Sequence, residues 1–260
     1  VRFAILCALL GLAAGASAQT PSPTLAALAV RPVEGAVLRY AAPDSAVVPA
    51  LAPVVVAARL DVEAFFGAPF DAPVDVAVVP DRAAFTAVMN ERWGVPETAC
   101  WMVAFGVADG LVLLSPRAWP ADACEHDADD AAHLRELVTH ELVHVYHGRR
   151  NPTGDFTGMD DAGWFVEGVA TLATGQLTEA RLTRLRAALA VGEGPAGLAD
   201  VWSGPHRYGA AGSLVRFVDE TYGRATVVAL LGDVTQAQLL DRLDTTEDAL
   251  LARWRFWLGP

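Results

Sequence analysis

Residues 140–144 of this 260-residue chain read His-Glu-Leu-Val-His, a run whose residue types and spacing prescribe a particular chemistry. On an α-helix four residues advance about 400° and about 6 Å, so His140 and His144 leave one face a turn apart. Two imidazoles stacked in this way can share one Zn²⁺, which takes nitrogen ligands at about 2.0–2.1 Å. Glu141 flanks the same face and can reach a water on the metal. Zinc lowers the pKa of such a water towards about 7, and a carboxylate beside it can take the proton. Random placement of the six His and twelve Glu of this chain would give the pattern in roughly one chain in 150. The competing reading is a pair of surface histidines on an amphipathic helix.

A catalytic zinc takes three protein ligands and keeps one position open. His147 lies on the same stripe but about 10 Å along the axis from His140, too far for one helix to wrap three ligands round an ion. It is expected to support a ligand from behind or to face solvent. The pattern that takes a third histidine from just beyond a glycine would need it at position 150, which is Arg150. Glu167 fits better, in Trp164-Phe165-Val166-Glu167-Gly168-Val169-Ala170. A carboxylate set into an apolar helix is costly to bury unless it meets a cation or hydrogen bonds. The alternative is an acid in a first helical turn, favoured by the helix dipole. Asp160 and Asp161 either orient a zinc histidine or cap the second helix, and His126 and His133 are assigned to structure or solvent.

The elements that must position these residues can be read from the flanking patterns. Val33–Tyr40 is a short strand, Asp44–Phe66 a helix stopped by Gly67, and Pro73–Val79 an alternating strand. Asp81 caps a helix to about Trp93, and Trp101–Leu114 reads as a hairpin turning at Asp109-Gly110. After Pro116 the pattern turns helical, with segments at Ala128–Gly148, Gly163 to about Gly175, Glu179–Val191, Tyr208–Tyr222, Ala225–Leu231 and Glu247–Leu258. The loop from Gly148 to Gly163 is long enough to bring the second of these back against the first. The class is α+β. Residues 19–127 form a strand-and-helix lobe, and 128–260 a helical lobe carrying the metal residues.

The chain is 53% hydrophobic, enough for a sizeable core, and its formal charge is −12 with every base an arginine. That acidity without a basic run argues against nucleic acid and anionic membrane as partners. Residues 1–18 have the layout of a secretory signal, with Arg2, an apolar run from Phe3 and the small residues Ala16-Ser17-Ala18. The run is too short for a stable membrane anchor, so the expected location is periplasmic or extracellular. Cys100 and Cys124 remain after cleavage and either pair in that oxidising setting or stay as two separate thiols.

The His-Glu-Leu-Val-His run, followed by Trp-Phe-Val-Glu-Gly-Val-Ala with 23 residues from His144 to Glu167, resembles the gluzincin metallopeptidases of the peptidase MA-like kind. The likeness extends from the hairpin to Trp254. It implies a zincin-like fold, with a mixed sheet over the active-site helix, one Zn²⁺ per chain, and hydrolysis of a peptide or protein substrate by zinc-activated water with Glu141 as base. It also implies that Gly106, Val107 and Ala108 lie on the sheet edge that pairs with an extended substrate. A later helix would supply the donor to the oxyanion, with Tyr208 the first choice and His206 the second. The rival expectation is a zinc-binding but catalytically silent cell-envelope module.

Overall fold

The computed structural model describes residues 23–259; the segment read as an export signal, 1–18, lies outside the described residues. The chain divides into two compact units, residues 23–63 with 68–145 and residues 64–67 with 146–259. It is a mixed α+β protein, mostly helical, with one five-stranded sheet among the described residues.

The sheet unit opens with a single turn, α1 (Pro23–Ala26), and the hairpin β1 (Ala29–Val33) and β2 (Ala36–Tyr40). Then come α2 (Val48–Phe66), β3 (Val74–Val79), α3 (Arg82–Trp93), β4 (Ala104–Val107), β5 (Gly110–Leu114), the short α4 (Trp119–Asp122) and α5 (Ala131–Gly148). The sheet order is β1-β2-β3-β5-β4. β2, β3 and β5 run parallel, while β1 and β4 pair antiparallel at the two edges. Every residue of β5 and all but Asp75 of β3 are buried, as expected of central strands covered on both faces.

One strand was expected over Val33–Tyr40, and the structure has a hairpin there. β1 contains Pro32, which cannot donate to a ladder and so argues against a strand except at an edge, where β1 lies. α2 starts at Val48 and not at Asp44. The Asp44 carboxylate is fully buried and accepts from Arg117 Nε at 3.0 Å, so it anchors an ion pair and starts no helix. α3 follows its caps. Asp81 accepts from the Ala84 amide at 2.8 Å and Gly94 closes the helix in the left-handed region. The β4–β5 connection is Ala108-Asp109, and Gly110 already pairs with Val107. Its φ of 140° and a would-be Cβ only 2.3 Å from the Asp75 carbonyl leave room for glycine alone.

Cys100 and Cys124 are joined by a disulfide, with Cα atoms 5.3 Å apart. Arg82 holds the same loop by donating to the carbonyls of Cys100 and Asp122 at 3.1 and 2.8 Å, and to that of Met102. A bridge closing a loop of this size contributes about 3 kcal/mol through the unfolded chain.

In the helical unit the last turn of α5 is followed by α6 (Gly163–Ala173), α7 (Glu179–Ala190), the short α8 (Leu198–Val201), α9 (Arg207–Tyr222), α10 (Arg224–Leu230), α11 (Gln236–Arg242) and α12 (Glu247–Leu258). α9 is its axis, with an almost unbroken buried stretch from Gly209 to Val218, and α6, α7, α10 and α12 pack round it. Its small residues set the close spacing, and Trp254 of α12 donates to the buried Ser213 Oγ at 3.1 Å. No helix of the described residues is long and apolar enough to cross a membrane.

Candidate metal centre

α5 carries His140 and His144 on one buried face. Their Nε2 atoms stand 3.1 Å apart, with the ring planes at 76°. Two nitrogens at about 2.0–2.1 Å from one tetrahedral ion would be about 3.3 Å apart, so the pair already has the spacing that a shared ion requires. Glu141, half-buried, is the next residue on the helix. Edge strand β4 lies directly on this turn, since a Cβ at Gly106 would be 2.2 Å from the Glu141 carbonyl. The strand therefore reaches the helix only because position 106 has no side chain. Gly106 and Val107 are in the edge strand, and Ala108 lies in the turn that leaves it.

α6 buries Trp164, Phe165, Val166, Val169 and Ala170 and leaves Glu167 half-buried among them. Gly168 fixes how near α6 comes to α9, because a Cβ there would meet the Ala211 carbonyl oxygen at 2.6 Å. Gly212 does the same from the other side, against the Thr171 methyl at 2.7 Å. Gly168→Ala is therefore expected to force the two helices apart at a cost of about 1–3 kcal/mol, read from urea melts. Unchanged stability would show that the contact is soft.

Tyr208 stands one turn before Ala211 on α9. Burial raises the pKa of its hydroxyl, the negative charge of Glu167 raises it further, and Arg207 and Arg181 oppose the shift. The phenol thus keeps its proton at neutral and mildly alkaline pH and stays a hydrogen-bond donor beside Glu167. His206 is the N-cap of α9 and makes no side-chain cap bond.

The candidate ligand atoms of His140, His144 and Glu167 all lie within 4.8 Å of one another. A direct N–H···N bond would also bring two imidazoles to 3.1 Å, but a carboxylate closing on the same pair is what a metal needs. The donor set of two nitrogens and one oxygen suits a borderline divalent ion. No protein-family model matches the sequence, and no curated protein matches it.

His147 is not solvated. It is fully buried, edge-on to Phe156 and Phe165 at 4.9 and 5.7 Å. Asp161 caps a helix, but α11 and not α6, accepting from the Gln236 amide at 3.2 Å. The N-cap of α6 is Ala162, which supplies no side-chain cap. His126 and His133 bond to each other at 3.0 Å, and His126 Nε2 reaches the Trp101 carbonyl at 2.9 Å. That carbonyl only accepts, so His126 carries its proton on Nε2 when neutral and His133 donates to its Nδ1. The spacing role of glycines 106, 168 and 212 was not foreseen from the sequence, where Gly106 was named only as a substrate-pairing residue. Their only signal was position: Gly168 directly after the candidate ligand, and Gly212 within the run Gly209-Ala210-Ala211-Gly212-Ser213.

Proposed function

We propose that this chain is an exported, zinc-dependent metallopeptidase in which His140, His144 and Glu167 hold the ion and Glu141 is the general base. The observation that carries this reading is the approach of those three side chains to within 4.8 Å of one another, with Glu141 adjoining the first of them in sequence. The disulfide is consistent with an oxidising compartment.

A zinc ion held there would lower the pKa of a water towards about 7 and polarise a substrate carbonyl. The Glu141 carboxylate accepts the proton of the attacking water and delivers it to the nitrogen of the departing amine. The Tyr208 hydroxyl, held protonated chiefly by burial, donates to the carbonyl oxygen as negative charge develops on it. His206 is the second candidate for that role. Main-chain groups of Gly106 and Val107, with Ala108 beyond them, offer an extended peptide a strand to pair with.

The purified protein is expected to contain about one equivalent of zinc and to cleave members of an unstructured peptide library. Chelation should stop the cleavage and re-addition of zinc should restore it. Full metal content without cleavage of any peptide would leave a binding module in place of an enzyme. Failure to retain zinc would end both readings.

A further inference from the structure

The helical unit holds two guanidinium groups against the Tyr208 ring, and neither is in an ion pair among the described residues. Arg207 opens α9 and Arg181 lies in the first turn of α7, and both are half-buried. Arg181 donates to the Gln176 carbonyl and Arg207 hydrogen-bonds the Tyr208 hydroxyl, but neither meets a carboxylate among the described residues, although acids outnumber bases in this chain by 31 to 19. Both converge on one ring, with guanidinium carbons 5.1 Å (Arg207) and 4.8 Å (Arg181) from the Tyr208 centroid. Arg207 is also 5.6 Å from the Trp202 ring, and its Nε is shielded from solvent with no acceptor among the described residues.

Two cations brought together in a half-buried place repel each other, and a shielded donor without an acceptor is unfavourable. Attraction to the aromatic faces offsets part of this but leaves the Nε–H unused. The positive end of α9, with no side-chain cap at His206, adds to the same field. Arg207 and Tyr208 precede Ala211 by one turn, and the Ala211 carbonyl abuts Gly168, the residue after Glu167. The unused positive charge is thus beside the helix that presents the metal-ligand carboxylate.

We infer that Arg207, with Arg181 behind it, binds a carboxylate of the substrate, supplied by the C-terminus or by an acidic side chain near the scissile bond. This rests on the hydrolase reading for what is bound and why, but the binding itself requires neither metal nor Glu141. A guanidinium presents paired donors that match a carboxylate, whereas a clamp serving only Trp202 and Tyr208 would be indifferent to the charge of a peptide.

The test is calorimetric binding of two peptide pairs to wild type, Arg207→Gln and Arg207→Lys, each metal-free and zinc-loaded. One pair is acetyl-Ala-Ala-Phe as free acid and as amide; the other is amide-capped acetyl-Ala-Glu-Phe and acetyl-Ala-Gln-Phe. In wild type the carboxylate member of at least one pair is expected to bind about tenfold more tightly, with or without zinc. The pair that shows this identifies the source of the carboxylate. Arg207→Gln should abolish the preference and Arg207→Lys should keep part of it. Should Arg207→Gln misfold, Arg181→Gln should still reduce the preference, by about threefold. Equal affinities within both pairs would overturn the inference, as would a preference that survives in folded Arg207→Gln or appears only with zinc. Absence of cleavage by wild type would sink the hydrolase reading yet leave this comparison readable. Cleavage without any preference for charge would sink the inference alone.

Discussion

Glu141→Gln is expected to lower peptide hydrolysis by a factor of about 10² to 10⁴ while the protein keeps its metal. The amide has nearly the size of the carboxylate, so the half-buried site beside His140 can accept it with little repacking. What is lost is the ability to take a proton from water at neutral pH. Glu141 is outside the cluster of candidate ligands, so zinc content by elemental analysis should stay close to one equivalent. The two measurements must be made on the same preparation. A variant as active as wild type would show that the cleavage belongs to another site or to a contaminant. A variant that loses both metal and activity would place Glu141 among the ligands.

Those residues were legible because their spacing is imposed by a helix alone. His140, Glu141 and His144 lie within two turns, and α5 forms from a pattern that a single stretch of sequence contains in full. Most of the larger elements were legible for the same reason: the Asp81 cap, the strand at Val74–Val79 and the span Glu247–Leu258 are each decided by local signals. β1 was missed because an edge strand need not alternate and tolerates Pro32. α8 is four residues long, too short for a 3.6-residue period to show.

What remained hidden in the site belongs to partners distant in sequence. Burial of His147 between Phe156 and Phe165 is decided by the course of the Gly148–Gly163 loop, which has no period to read. The acid pair at 160–161 was expected to orient a zinc histidine or to cap α6, yet the amide that Asp161 meets belongs to α11, 75 residues later. Likewise the glycines at 106 and 168 look like breaks in a strand and a helix until the backbone atoms opposite them are known. A missing Cβ at each is what allows β4 to approach Glu141 and α6 to approach α9.

His144→Ala should be the most damaging substitution for the metal while costing the metal-free protein much less. It deletes one of two nitrogens placed 3.1 Å apart and leaves His140 and Glu167 with no third donor, too few to hold an ion and keep an open position. Zinc affinity is expected to fall at least about a hundredfold and hydrolysis with it. Thermal melts read this without reference to catalysis. At free zinc about 100 times its dissociation constant, wild type gains about 2.7 kcal/mol, and the variant should gain almost nothing. Without zinc, two buried imidazoles facing each other are not a strong source of stability, so the metal-free forms should melt close together. If instead His144→Ala collapses the metal-free fold and zinc shifts neither protein, the histidines serve packing and the centre is not a metal site.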